Sequence, residues 1–210
     1  MRAGRLGMIA TPASGNRVEA GVAWIADNGA YTGRFPGVDR YLTWLTARAV
    51  HHGQCAFATA PDVLGDAAAT WARSRPVLPR IRALGYPAAL VAQDGLEHLS
   101  IDWNLFDGLF LGGSTAWKLG PAAAQLATHA RSLGLHVHVG RVNSLRRLRH
   151  AASIGAHSAD GTYLAYGPNR NLPRLLSWLE HLHTLPAPQP PRQSPPNDRA
   201  QHISDWSTTP

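Results

Sequence analysis

The stretch "GLFLGGSTAWKLGPAAAQLATHARSLGLHVHVG", Gly108 to Gly140, decides the fold. It opens with an apolar run at 108–113, continues with a helical pattern at 115–133 and closes with a second apolar run at 136–140. Strand, helix, strand in that order is a crossover unit, whose two strands lie parallel in one sheet with the helix covering a face. The apolar runs are continuous rather than alternating, as expected of strands buried on both faces.

The same alternation extends outward in both directions. Further candidate strands are 6–10, 21–27, 55–60, 88–93 and a short one at 157–160. Helical patterns fall at 39–52, 66–84, 144–154 and 171–183, with only a short helix near 95–105. Pro76 and Pro79 must break or kink the 66–84 helix, because proline lacks the donor a helix interior needs. The 144–154 helix has clear ends: Asn143 or Ser144 caps its start, and Gly155 suits the left-handed position after it. Leu145, Leu148 and Ala152 share one face, while Arg146, Arg147, Arg149 and His150 are expected to look outward. Seven strand-then-helix units predict a TIM-like (β/α) barrel, reduced or with an eighth strand short, missing or irregular. An open doubly wound sheet is the alternative, but no G-x-G-x-x-G or phosphate-binding loop follows the first strand.

Composition sets the partners. Lys and Arg total 20 against 13 Asp and Glu, a formal charge of +7. The Pro-rich segment 185–210 carries two Arg and two Asp, so the excess lies on 1–184. We read 1–184 as the barrel and 185–210 as a disordered tail. A basic folded domain points to an anionic partner such as nucleic acid, or only to solubility. Cys55 is the single cysteine, which excludes an internal disulfide and a Cys-rich zinc site. No signal peptide and no membrane-length apolar run is found, so a cytoplasmic protein without membrane contact is expected.

In a parallel barrel the residues after each strand form the site. Here those are Asp27, Asn28, Gly29, Ala30 and Tyr31 after the second strand, and Asp62 after the third. Gln93 and Asp94 follow the fourth, Gly112 and Gly113 the fifth, Arg141 the sixth and Asp160 the seventh. Asp66 reads as a helix cap, Asp94 and Asn28-Gly29 as turn residues, and Asp62 as either a turn or a site residue. Asp27 and Asp160 directly follow apolar strands, where an unpaired carboxylate costs several kcal/mol, on the order of 2–7, so a functional role is expected of both. His136 and His138 alternate on one strand and share a face, yet no other strand end offers histidines; no metal is expected, and His138 is read as lining a pocket.

That rim order resembles the tRNA-guanine transglycosylase superfamily, in particular the compact, phage- and actinobacteria-type queuine tRNA-ribosyltransferase-like proteins related to DNA-modifying 7-deazaguanine transglycosylases. "PDVLGDAAATWARSRPVLPRIRALGYPAALVAQDGLE" and "GRVNSLRRLRHAASIGAHSADGTYLAYGPNRNLPRL" carry most of the likeness, which spans most of residues 6–179. The resemblance implies exchange of guanine for a 7-deazaguanine in DNA or tRNA, without cofactor. Asp160 would be the nucleophile that forms a covalent sugar adduct, and Asp27 the general acid/base. Asp62 and Gln93 would hold the base, Gly112 and Gly113 would give backbone contacts, and Asn28, Tyr31 and His138 would line its pocket. Arg141, Arg146, Arg147, Arg149 and Arg170 would grip the nucleic-acid backbone. The chain lacks that family's Cys-rich zinc module and has Asn28-Gly29-Ala30 where the family has Ser-Gly-Gly. A homo-oligomer or a partner subunit is a further expectation. The alternatives are a glycosidase that releases modified bases and a nucleic-acid-binding protein with little catalysis.

Overall fold

The computed structural model describes residues 4–183. Seven strands occur in chain order: β1 (Met8–Ala10), β2 (Trp24–Ala26), β3 (Cys55–Thr59), β4 (Ala88–Ala92), β5 (Gly108–Leu111), β6 (His136–Val139) and β7 (Ser158–Ala159). They form one sheet in sequence order, every neighbouring pair parallel. Helices lie between them: α1 (Val38–Thr46), α2 (Ala67–Ser74), α3 (Leu78–Ala83), α4 (Thr115–Lys118), α5 (Pro121–Ser132), α6 (Leu145–Ser153) and α7 (Pro168–His183). This is a seven-stranded TIM-like barrel with its sheet open between β7 and β1 among the described residues. An ion pair of Arg5 with Glu180 on α7, at 3.3 Å, ties the segment before β1 to the last helix. The tail expected at 185–210 lies outside the described residues.

The apolar runs are continuous where a strand is buried on both sides, as β2, β4 and β5 are. In β4, Ala88, Leu90 and Ala92 belong to the large core between sheet and helices, while Ala89 and Val91 belong to a second cluster with Ile25, Phe57 and Phe110 inside the curl. The same alternation turns Leu109, Leu111, Val137 and Val139 outward to the helices. It turns His136, His138 and Ser158 inward, so the filling of the barrel changes from hydrocarbon at β2–β5 to imidazole and hydroxyl at β6–β7.

The structure refines several sequence expectations. The 66–84 helix breaks into α2 and α3 at the prolines. The 115–133 helix also breaks, at Gly120-Pro121, where Pro121 begins α5. The 39–52 helix ends at Thr46 and gives way to a 3₁₀ segment at Ala49–Gln54, which has no buried residue to extend an amphipathic face. Near 95–105 there are two 3₁₀ turns rather than a helix. Ser144 caps α6 through Arg147 N, and Asp66 caps α2 through Ala69 N at 2.8 Å. Two residues expected to face out from α6 do not: Arg147 donates to Arg141 O at 3.4 Å, and a His150 ring nitrogen meets Lys118 O at 3.0 Å.

Candidate active site

Asp27 follows β2 and continues its ladder, its N–H donating to Ala10 O at 2.9 Å. The strand end is pinned from the helix side by Tyr41, whose hydroxyl donates to Ala26 O at 3.2 Å. One carboxylate oxygen of Asp27 accepts from Gly29 N at 2.7 Å, closing a tight turn that needs Gly29 in the left-handed region, φ 81°. Burial, with the nearby negative charges of Asp62 and Asp160, outweighs that single bond and pushes the Asp27 carboxyl up to about 6.

The next two strand ends build a closed amide–carboxylate cluster. Asn28 is buried, and its Nδ2 donates to Ala60 O at 2.9 Å, Thr59 Oγ1 at 3.1 Å and Asp62 Oδ1 at 3.1 Å. Gln93 Nε2 donates to Asp62 Oδ2 at 2.8 Å, and Gln93 Oε1 accepts from Gly65 N at 3.0 Å. Burial raises the Asp62 carboxyl above its ordinary value, while the Asn28 and Gln93 hydrogen bonds pull the other way. Every polar group of this cluster is therefore engaged by the protein itself. Asp62 and Gln93, expected to hold a purine-like base, are here bonded to each other and to neighbours: both oxygens of Asp62 and both ends of Gln93 have protein partners.

On the opposite side, Asp160 continues β7, with its N–H on Val139 O at 3.1 Å. Its Oδ1 accepts from Arg141 N at 2.9 Å, and its Oδ2 lies 3.0 Å from His138 Nε2. The Asp160 side chain is 22% exposed and that of His138 only 1%. Burial pushes Asp160 up, but the His138 hydrogen bond, the Arg141 N–H and the Lys118 ammonium outweigh it, leaving the carboxyl below its ordinary value. The turn that delivers Arg141 N is strained: Arg141 has φ 62°, rare for a residue with a side chain. It is held there by its own bond to Asp160 and by Val142 N on Asp160 O at 2.6 Å. Gly140 is required beside it, since a Cβ would meet the Phe110 ring at 2.7 Å.

The other expected residues divide as follows. His138 does not line an open pocket but is packed between Phe110 and Phe57, with ring centroids at 4.6 and 5.4 Å. Gly112 and Gly113 offer their carbonyls to the Arg141 guanidinium rather than to a ligand, and a side chain at 113 would collide with Asp94. Arg141, expected on a backbone-gripping surface, is half-buried, its guanidinium also 4.8 Å from the Tyr31 ring centroid. Tyr31 stays 58% exposed at the rim. Arg146, Arg149 and Arg170 are exposed, on α6 and α7. Asp94 bridges β4 to β5, accepting from Ser114 N and Ser114 Oγ, both at 2.6 Å.

Sequence reasoning missed Lys118, which is buried against Gly140 O and pushed down to about 8 by burial and the charges of Arg141 and Arg147. It also missed Ser158, whose hydroxyl sits between two imidazoles. The signal for Ser158 was present, because 158 and 160 alternate on β7 as 136 and 138 do on β6.

No group of three or more His, Cys, Asp or Glu among the described residues is placed to hold a metal ion. No described helix is long and apolar enough to cross a membrane.

Comparison with known proteins returned no matching family model and no matching curated protein. Solved structures do match. The Bacillus subtilis YkuI protein, with an EAL domain in complex with c-di-GMP and calcium, gives a TM-score of 0.45 at 14% identity, covering 80% of this chain and 45% of that one. A Silicibacter pomeroyi protein described as a putative glycerophosphoryl diester phosphodiesterase gives 0.44 at 14% identity, covering 75% and 51%. The PaMucR phosphodiesterase in complex with c-di-GMP gives 0.42 at 15% identity, covering 68% and 60%. This chain thus spans about half the length of these structures, and likenesses of this depth carry no argument about its chemistry. They do not return the family read from the sequence. The transglycosylase resemblance, its base exchange and the base-releasing glycosidase alternative are corrected here: the solved structures that match carry other names, and the groups assigned to hold the base bind one another.

Proposed function

We propose that the chain is an enzyme, a hydrolase that cleaves a bond to an oxygen leaving group with a pair of carboxyl groups at the barrel mouth. The observation that supports this reading is the opposite protonation preference of Asp27 and Asp160 at the ends of two strands of one sheet. Asp27 is held up to about 6 and Asp160 is held below the ordinary carboxylate value. Environments that drive two carboxyls apart separate an acid from a base.

Protonated Asp27 donates to the departing oxygen as its bond to the substrate breaks. Asp160, partly open to solvent, accepts a proton from the water whose oxygen forms the new bond. Solvent then returns the proton from Asp160 to Asp27, so the cycle balances without a further reactant. Lys118 and the Arg141 backbone keep Asp160 ionised between turnovers. Two matched structures contain calcium, but a resident metal does not fit this mouth: no group of three or more His, Cys, Asp or Glu among the described residues is placed to hold one, and the oxygens of Asp62 and Asp160 are engaged by amides, an imidazole and a backbone N–H.

Esters, acetals and phosphodiesters all contain such a bond. Phosphodiester hydrolysis, the activity for which two of the matched barrels are named, is one member of this class. The test is a panel of p-nitrophenyl acetate, p-nitrophenyl glycosides and bis(p-nitrophenyl) phosphate, with wild type and Asp27→Asn. The expected result is turnover of one class by wild type, falling as pH rises through about 6, and its loss in Asp27→Asn. No turnover across the panel, or equal turnover by the variant, contradicts the reading.

A further inference from the structure

Asp160 ends a chain of four groups carried by β6, β7 and the residue after β7. The β6–β7 register pairs His138 with Ser158, and the alternation of both strands turns His136, His138, Ser158 and Asp160 to the same interior face. A His136 ring nitrogen, Nε2, lies 2.8 Å from Ser158 Oγ, which in turn lies 2.7 Å from His138 Nδ1. His138 Nε2 then faces Asp160 Oδ2 at 3.0 Å.

One hydroxyl proton serves two imidazole nitrogens, so the directions of these bonds are not independent. His138 Nε2 must carry a hydrogen to bond an ionised Asp160. With His138 neutral, its Nδ1 is then an acceptor and the Ser158 hydroxyl donates to it. The Ser158 oxygen is left to accept from His136 Nε2–H. Every bond in this arrangement points toward the carboxylate.

We propose that Ser158 and His136 are positioning residues that hold His138 as the neutral Nε2–H tautomer and, through it, hold Asp160 in the carboxylate form. The inference rests on the assignment of Asp160 as the base of the site. The charged and titratable neighbours are few. Asp160 faces His138, Lys118 and, across the mouth, Asp27. His136 stacks on His157 with centroids 5.0 Å apart, and burial together with His157 and His138 pushes its imidazole down to about 4. His157 accepts from Val137 N at 2.9 Å and lies near Arg131, which with its own burial keeps it low. A neutral His136 is therefore available as the terminal donor throughout the working range.

The experiment is NMR of the histidine ring nitrogens at pH 8, with a carbon-detected titration of the Asp160 carboxyl, in wild type, Ser158→Ala, Ser158→Thr and His136→Phe. Wild type should show His138 as a single Nε2–H tautomer. Ser158→Ala should mix the His138 tautomers and raise the Asp160 midpoint, and Ser158→Thr should restore both. Its kcat on whichever panel substrate is hydrolysed should fall on the order of 10-fold in Ser158→Ala while KM stays unchanged. His136→Phe keeps the ring stack but removes the terminal donor, and should give the same signature more weakly. A wild-type Nδ1–H tautomer, or an unchanged His138 ring and Asp160 midpoint in Ser158→Ala at unchanged melting temperature, overturns the inference. Because the ring and carboxyl signals need no substrate, failure of the hydrolase assignment leaves this readout standing.

Discussion

The two sides of the barrel mouth use the same residue type in opposite ways. On the β2–β4 side, Asp62 is enclosed by the amides of Asn28 and Gln93, a set of neutral donors with no freedom left. On the β6–β7 side, Asp160 is met by a backbone N–H and an imidazole, with an ammonium close by and part of the carboxyl in solvent. Asp27 lies between them with one hydrogen bond and two negative neighbours. Saturation makes Asp62 part of the scaffold. Under-provision makes Asp27 the group that titrates near neutrality, and charge compensation makes Asp160 the group that does not.

The largest expected effect tests that division by function. Asp27→Asn or Asp160→Asn should each lower kcat by about 10²–10⁴-fold, the range for a general acid or base, with the fold retained. Equal losses from Gln93→Leu without loss of stability would move the chemistry to the β2–β4 side. Next comes the scaffold. Asn28→Ala leaves a buried carboxylate and the Ala60 carbonyl short of a donor, and should destabilise by about 2–3 kcal/mol in urea unfolding. A change below about 0.5 kcal/mol, the size of an ordinary surface substitution, would show that the cluster is not structural.

A smaller effect has the opposite sign. The folded-state Asp27 carboxyl sits near 6 against an ordinary value of 3.8, so the fold favours its protonated form. Ionisation therefore takes stability away as pH rises from about 4 through about 6. Asp27→Asn removes that penalty and should be more stable than wild type at pH 7, by on the order of 1–3 kcal/mol, with the advantage gone at pH 4. Asp160→Asn should behave in reverse: its depressed carboxyl stabilises the fold above the ordinary carboxylate range, so the variant should be the less stable at pH 7. Thermal unfolding at the two pH values checks both signs. The smallest effect lies away from the mouth, where Ser144→Ala should remove the α6 cap for about 1 kcal/mol.

The sequence carried the fold further than the site. The central strands were readable because burial on both faces leaves continuous apolar runs, as in Ala88–Ala92. Helix continuity was less readable. Gly120-Pro121 splits one pattern in two, and 39–52 stops early because Val50 is exposed and 49–54 buries no residue. At the site, position after a strand located Asp27, Asp62 and Asp160. It did not show that Asp62 and Gln93 satisfy each other, nor that Arg141 folds back onto Gly112 and Gly113. Those are pairings across strands, fixed by register and turn geometry. The family resemblance read such residues as open to a ligand because their order along the chain says nothing of whom they bond.

The split between Asp27 and Asp160 is tested most directly by a carbon-detected NMR titration of the two carboxyls in the intact chain. The account predicts a midpoint of about 6 for Asp27 and one below the ordinary carboxylate value for Asp160. Asp27 titrating near 3.8, or Asp160 titrating above Asp27, would contradict it.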